Sequence, residues 1–111
     1  MLFAIAITTS CKKKKEEEVN YADKVVGVFK GEFNKGNFSS LDYTITVTDA
    51  KHNKIKVTPE DSNGTEFSVE VKEVSGVIIS LDNSLNMSNT TGIDHLQFDR
   101  DGETFNGYRQ N

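Results

Sequence analysis

Few side chains in this sequence could take part in covalent chemistry. The 111 residues include one cysteine, Cys11, and two histidines, His52 and His95. A cysteine nucleophile needs a base or a cationic environment to form its thiolate, and both histidines lie far along the chain from Cys11. A single cysteine also excludes a disulfide within the chain. We therefore predict that the protein is not an enzyme and has neither catalytic residues nor a cofactor.

Two stretches contain side chains that bind metal ions in other proteins, but simpler structures explain both. The segment 99–103 has carboxylates spaced like part of a calcium loop, although a complete loop needs more ligands. Its Asp101-Gly102 pair is typical of a two-residue hairpin turn. His95 follows Asp94 but has no second His or Cys nearby, as a zinc site would require. The sequence therefore predicts no metal site.

Phe38 and Tyr108 are the side chains best suited to contact another molecule. Exposed aromatic rings favour recognition surfaces. Phe38 lies next to the turn-forming segment 34–37, and Tyr108 lies on the outward face of the last predicted strand. Both are candidates for binding loops or surfaces, but for Phe38 we favour the prediction that it plugs one end of the barrel.

The charge distribution argues against nucleic acid as a partner. The formal net charge is −4. The first 18 residues hold four lysines and three glutamates, so residues 19–111 keep nine of the 13 basic and 14 of the 17 acidic side chains, a net of −5. Nucleic-acid phosphates favour a basic surface. Length and composition, with 35% hydrophobic and 27% charged residues, suit one globular domain.

Residues 1–10 have the character of a signal peptide. The first seven are uncharged and mostly apolar, too short for a membrane-spanning helix of about 20 residues but suited to a signal-peptide core of about 7–15. The small residues Thr8, Thr9 and Ser10 then lead into Cys11. No basic residue precedes Cys11, which an upstream start codon or a truncated sequence would explain.

An apolar run, small residues and a cysteine together resemble the lipobox of bacterial lipoproteins, although Thr8 stands where leucine is typical. The charged run 12–18 after Cys11 resembles the export signal of Bacteroidetes-type surface lipoproteins. The resemblance implies that Cys11 is lipidated and that residues 11–23 form a charged flexible tether. It also implies that the membrane is a partner and that the protein lies at the outer membrane or cell surface. The alternative is a secreted or periplasmic protein without lipid.

From residue 24 onward, apolar and polar residues alternate with a period of two, which indicates half-buried strands. The clearest alternation predicts that Leu41, Tyr43, Ile45 and Val47 share the inward face of the second strand. In the fifth strand, the same pattern groups Val77 with Ile79 and Leu81.

About eight such short strands, separated by turn signals and without a helical period, predict an antiparallel up-and-down meander. Closing it into a small barrel over residues 24–111 would remove exposed strand edges. We therefore predict an all-β barrel, with a two-sheet β-sandwich as the alternative.

This pattern resembles the calycin group of barrels, and small lipocalin-like domains most of all. Gly27-Val28-Phe29 lies where lipocalins carry Gly-x-Trp on their first strand, with Phe29 in place of tryptophan. Arg109 lies on the last strand, where lipocalins place a basic residue over that aromatic ring. The chain is much shorter than a ligand-carrying lipocalin, which argues against a large apolar cavity.

The resemblance implies a non-enzymatic binding module whose ligand is a small molecule, a glycan or a protein. The alternative is an inhibitor of a hydrolase, such as a lysozyme or a protease, that acts through a barrel loop. The segments Asn34–Ser40 and Asp82–Gly92 are the candidate loops for that activity.

Overall fold

The computed structural model describes residues 19–110, which form an eight-stranded antiparallel barrel. Each strand pairs with the next, and β8 pairs with β1 from Phe29 to Lys35 to close the barrel. The predicted all-β meander closing into a small barrel is therefore confirmed, and the β-sandwich is not the fold. A 3₁₀ helix at Tyr21–Lys24 precedes the strands β1 (Gly27–Lys35), β2 (Phe38–Asp49), β3 (Lys54–Pro59), β4 (Phe67–Val74), β5 (Val77–Ser80), β6 (Leu85–Thr90), β7 (Ile93–Arg100) and β8 (Glu103–Arg109).

The predicted signal peptide, Cys11 and the charged run to Glu18 lie outside the described residues. Within residues 19–110, no helix has the length and apolar character needed to cross a bilayer.

Short turns join most neighbouring strands. Three of them have a residue and a following glycine that both adopt positive φ: Ser75-Gly76, Thr91-Gly92 and Asp101-Gly102. Such type I′ turns match the twist of antiparallel strands. The predicted hairpin at Asp101-Gly102 is thus confirmed.

The interior of the barrel is filled by side chains. Strand alternation places one residue in two on the inside, and the buried apolar side chains form a single cluster. Among them, the rings of Phe98 and Phe105 stack with centroids 5.6 Å apart. The cluster contains Ala22, Val25, Phe29, Phe33, Tyr43, Ile45, Val47, Ile55, Val57, Val69, Val71, Ile78, Leu85, Met87, Leu96, Phe98 and Phe105.

The 3₁₀ helix covers one end of the barrel, which we call the upper end. Ala22 and the adjacent Val25 are fully buried, and the backbone N–H of Tyr21 donates to Asn53 Oδ1 at 2.7 Å. The packed domain therefore begins earlier than the boundary predicted between residues 23 and 24, because Tyr21 and Ala22 already belong to it.

The opposite, lower end is closed by aromatic rings. Phe38 packs against Phe33 and Tyr43, with centroids 6.1 and 6.2 Å away, and Phe33 stacks on Tyr43 at 4.3 Å. The Tyr43 hydroxyl donates to Asp61 Oδ1 at 2.7 Å. Burial, together with this hydrogen bond, raises the pKa of Tyr43, so its hydroxyl stays protonated. Phe38 is half-buried and closes the barrel end, which is the favoured prediction for this residue.

A buried ion pair completes the lower end. Glu103 is nearly fully buried and accepts hydrogen bonds from Thr65 Oγ1 at 2.6 Å and from Thr65 N at 3.2 Å. Lys35 Nζ lies 3.1 Å from the same carboxylate. These contacts hold the β3–β4 connection against the barrel.

The predicted inward position of Leu41 is wrong, because the register of β1 and β2 shifts there. Gly31 pairs with Tyr43 but Phe33 pairs with Ser40, so Leu41 and Asp42 lie opposite the single residue between. Such a bulge changes which face the following residues occupy. Leu41 is consequently 81% exposed.

The inward face of β5 is the one formed by Ile78 and Ser80, both buried, whereas Leu81 lies beyond the strand and is half exposed. Ser80 is tolerated inside because its hydroxyl is satisfied. It donates to Asp82 Oδ1 at 2.6 Å and accepts from the backbone N–H of Leu85 at 3.0 Å. The apolar pattern groups Leu81 with Val77 and Ile79, but the face of β5 that points inward is the other one, which includes the hydrogen-bonded Ser80.

Candidate functional site

A row of three side-chain amides crosses the outer wall of β6, β7 and β8. Asn86 pairs with Gln97, and Gln97 pairs with Asn106, so the three side chains leave the same outer surface as direct neighbours. Directly opposite side chains of antiparallel strands lie about 4.5–5.5 Å apart at Cβ. We call this row, with the residues next to it on the outer wall, the amide face.

The composition of the amide face is unusual for strands. Asparagine is depleted in β-strands, yet Asn86 and Asn106 lie within two of them. Within residues 19–110, the side-chain amides of Asn86 and Gln97 form no hydrogen bond with the protein. Local preferences are most often broken at functional sites, so this row is the first candidate for one.

The outer wall on the other side of the barrel looks different. There β2, β3 and β4 present threonines, lysines and glutamates, which are ordinary solvated side chains. Lys56 Nζ lies 3.0 Å from Glu66 Oε2, and Lys54 pairs with Glu70 across β3 and β4. This wall is therefore charged and includes one ion pair, whereas the opposite wall carries uncharged amides.

An aromatic pair borders the amide row toward the upper end. His95 pairs with Tyr108 across β7 and β8, and their rings stack with centroids 4.6 Å apart and an interplanar angle of 15°. His95 Nε2 also contacts Asn106 Oδ1. Tyr108 remains 49% exposed, so one side of its ring is held in place while the rest faces solvent. Tyr108 thus lies on the surface, as predicted.

A cleft of about 350 Å³ lies along the amide face toward the lower end. Asn83 and Ser84 of the β5–β6 connection form one side, and Asp99 and Thr104 form the other. The side chains of Phe98 and Phe105 point into the core, so their backbone contributes the floor of the cleft.

Hydrogen bonds around Asp82 fix the β5–β6 side of this cleft. Its carboxylate accepts from Ser80 Oγ at 2.6 Å, from Ser84 N at 3.0 Å and from Ser84 Oγ at 2.7 Å, and Arg100 Nη1 lies 3.1 Å away. The hydrogen bond from Ser80, those from Ser84 and the charge of Arg100 together lower the pKa of Asp82 far below its usual value. These contacts stabilise the ionised form of Asp82, which anchors the connection.

The residues of the predicted barrel signature meet at the upper end. The guanidinium of Arg109 lies 4.9 Å from the ring centroid of Phe29. Its Nη1 and Nη2 donate to the carbonyls of Val26 at 2.6 Å and Lys24 at 2.7 Å. A side chain at Gly27 would collide with this guanidinium. The three residues thus act structurally, closing the barrel against the 3₁₀ helix.

Asp94 is a further hydrogen-bond partner of Arg109 at this end of the barrel. Burial raises the pKa of Asp94, but hydrogen bonds from Asn89 Nδ2 at 2.9 Å and Arg109 Nε at 2.7 Å outweigh it and hold the pKa below its usual value. Adjacent strand residues point to opposite faces, so Asp94 points away from His95, and Asp99 lies further along β7. The three side chains that could have formed a catalytic or zinc-binding group are therefore apart.

Residues 19–110 contain no group of three or more His, Cys, Asp or Glu side chains arranged to hold a metal ion. In the hairpin from Asp99 to Glu103, Asp101 is exposed, whereas Glu103 points into the barrel end.

The two segments considered as inhibitory loops consist largely of strand. Asn34–Ser40 is the β1–β2 hairpin with only two residues, Gly36 and Asn37, between the strands. The segment Asp82–Gly92 contains β6. Neither presents a long protruding loop.

A larger cleft, of about 670 Å³, lies at the upper end between the 3₁₀ helix and the β2–β3 turn, and Asn20, Asp49 and His52 are among its residues. His52 is exposed and adopts a positive φ of 57°, as a turn residue does. Because this cleft borders Val19, where the described range begins, we assign no function to it.

Comparison with known proteins adds no family assignment. No protein-family model, no curated protein and no solved structure matched the chain. The resemblance to surface lipoproteins and to lipocalin-like domains therefore stays a prediction from the sequence.

Proposed function

We propose that this protein is a non-enzymatic binding module that is held at the outer membrane or cell surface by lipid on Cys11. Recognition takes place on the outer wall of the barrel, at the amide face, rather than inside the barrel. The lipid anchor is supported by the residues around Cys11, and the place of recognition by the contacts within residues 19–110.

The filled interior is the observation that carries the proposal. An eight-stranded barrel is only just wide enough for side chains to fill or for one small ligand to occupy. Here the apolar side chains form one continuous cluster, the 3₁₀ helix and Arg109 close the upper end, and Phe38 with Glu103 closes the lower end. The amide face, by contrast, offers unpaired polar groups and an exposed aromatic ring.

The distribution of reactive side chains supports a non-enzymatic role. His52 lies in a turn at the upper end, His95 stacks on Tyr108, and Asp94 is bound by Arg109. A general base must lie within hydrogen-bonding reach of the group it activates. Ser88 lies opposite His95 across β6 and β7, but the contact of His95 Nε2 is with Asn106 Oδ1 and not with a hydroxyl group.

Mass spectrometry of the mature protein tests the anchor. In membranes of the cells that produce the protein, we expect a chain that begins at Cys11 and carries a diacylglyceryl group on its sulfur. The Cys11→Ser variant should leave the detergent-rich phase in a detergent partition experiment, because two acyl chains are needed for stable anchoring. An uncleaved chain with an unmodified Cys11 would contradict the proposed anchor.

A further inference from the structure

We infer that the amide face binds an uncharged carbohydrate. The amides of Asn86 and Gln97 hydrogen-bond its hydroxyl groups, and the ring of Tyr108 packs against the apolar face of a sugar ring. The inference rests on the proposed function in treating the outer wall as the recognition surface, and it adds the chemical class of the ligand.

The hydrogen-bonding capacity of the amides matches that of sugars. Each side-chain amide provides two N–H donors and one carbonyl acceptor, and a sugar hydroxyl likewise both donates and accepts. Asn86 and Gln97 are half-buried, and their amides have no partner in residues 19–110. Their neighbour Asn106 extends the row across a third strand. A hydroxyl-rich ligand would satisfy these groups, whereas an apolar partner would bury them unpaired, which is costly.

Tyr108 supplies the apolar contact that sugar rings also require. A tyrosine ring gives a large contact area with little loss of conformational entropy. The stacking of Tyr108 on His95 reduces that loss further, because the ring is already oriented before a ligand arrives. The aromatic pair lies directly next to Asn106, so one ligand can contact both the ring and the amide row.

The charges around the amide face favour an uncharged ligand. Its nearest outward cation, Lys30, pairs with Tyr108 across β1 and β8 and lies 3.7 Å from the carboxylate of Asp42. Glu32 pairs with Asn106, and Asp99 borders the cleft. Arg100 contacts Ser84 at the edge of the cleft but is already paired with Asp82 at 3.1 Å. A phosphate, a sulfate or an acidic sugar would therefore meet carboxylates and cations that are already paired, so the surface selects against anionic ligands.

Binding to neutral glycans tests this inference. The Cys11→Ser chain, which cannot carry the lipid, is applied to an array of neutral glycans and to gels that contain soluble glucan, mannan, galactan or xylan. We expect retention by at least one of them, and calorimetry with an oligosaccharide of the retained type then gives the dissociation constant.

Substitutions on the two walls of the barrel locate the site. Gln97→Ala combined with Asn86→Ala, and separately Tyr108→Ala, should each raise the dissociation constant at least about tenfold, the equivalent of about 1.4 kcal/mol. The matched control, Thr46→Ala with Ser68→Ala, removes outward polar groups from β2 and β4 and should leave the dissociation constant unchanged. Circular dichroism and thermal unfolding verify that every variant is folded.

Three results would overturn the inference. The first is that no neutral glycan is retained, and the second is that binding is equally strong in the amide-face variants and in the control. The third is a dimer in sedimentation experiments that the Gln97 or Tyr108 variants dissociate, because the amide face would then contact a second copy of the chain. None of these bears on the lipid at Cys11, so a failure of this inference remains distinguishable from a failure of the anchor.

Discussion

At the residue scale, two charged side chains close the two ends of this barrel. Arg109, on the last strand, donates hydrogen bonds to the backbone that precedes the first strand. Glu103, on the same strand, accepts a hydrogen bond from Thr65 in the segment between β3 and β4. Both form several charge-assisted hydrogen bonds, which are about twice as strong as neutral ones. A small barrel thus gains cohesion at its ends from polar contacts that its apolar core cannot supply.

Arg109→Met should lower the free energy of unfolding by about 2–4 kcal/mol, because it removes these hydrogen bonds and leaves Asp94 with only part of its partners. Arg109→Lys should recover only part of the loss. It keeps the positive charge next to Asp94, but an ammonium group lacks the fork geometry that lets Arg109 reach both carbonyls and Asp94. Urea unfolding measures both, with Lys72→Met on the outer wall of β4 as a control. A loss for Arg109→Met no larger than that of the control would contradict the structural role.

Glu103→Gln should destabilise the protein more at neutral pH than in acid. Burial raises the pKa of Glu103, but hydrogen bonds from Thr65 and Lys35 outweigh it, so the folded pKa lies below the usual value. The carboxylate therefore stabilises the fold above its unfolded pKa of about 4.3, and this contribution is lost as the pH falls through the folded pKa.

Urea unfolding of the wild type and Glu103→Gln at pH 7 and at pH 3 tests the sign of this effect. We expect the free energy of unfolding of Glu103→Gln to be lower than that of the wild type by about 1–3 kcal/mol at pH 7, and by less at pH 3. The other carboxylates are present in both proteins, so the effect of their titration largely cancels in the difference between the two free energies of unfolding. A difference that is constant or grows toward pH 3 would show that Glu103 does not contribute as an ionised group.

At the scale of the strands, the bulge between β1 and β2 makes a sharp prediction about two leucines. Leu41→Ala should change stability by less than about 0.5 kcal/mol, because Leu41 is largely exposed. Leu96→Ala should cost about 2–5 kcal/mol, because Leu96 is fully buried in the core. Chemical denaturation of the two variants compares them directly. Equal losses would mean that β2 keeps its alternation through residue 41 and that the bulge is absent.

The same strand shows what the sequence could and could not predict. The period of two in Tyr43, Ile45 and Val47 was enough to predict a half-buried strand, because side chains alternate across a sheet. The outward position of Leu41 depends on how β2 pairs with β1, and pairing is a property of two segments. Alternation within one segment therefore predicts strands and most of the core, but not the register shifts between strands.

The amide face could not be predicted from the sequence, for a related reason. Asn86, Gln97 and Asn106 lie on three strands and become neighbours only through the pairing of β6, β7 and β8. One signal was present in the sequence, since asparagine is disfavoured within strands. Tyr108 was predicted as a surface residue from its alternation with Phe105, but its stacking on His95 required the register of β7 and β8.

At the scale of the whole molecule, the two walls of one barrel have different surfaces around a common core. The wall of β2–β4 carries charged side chains that include the Lys56–Glu66 ion pair, and the wall of β6–β8 carries amides and an aromatic pair. With the interior filled, a ligand can bind the second wall without any rearrangement of the core. We expect the barrel to bind its ligand as a rigid body, with changes confined to side chains.

The most direct test of this account is an NMR titration of the isotope-labelled Cys11→Ser chain with a neutral oligosaccharide that it retains. The account predicts that resonance shifts concentrate at Asn86, Gln97, Asn106 and Tyr108, while methyl groups of the core such as those of Val57 and Leu96 keep their positions. Shifts that concentrate in the core methyl groups would place the ligand inside the barrel. Shifts on the wall of β2–β4 would place it on the opposite surface, and either result would contradict the account.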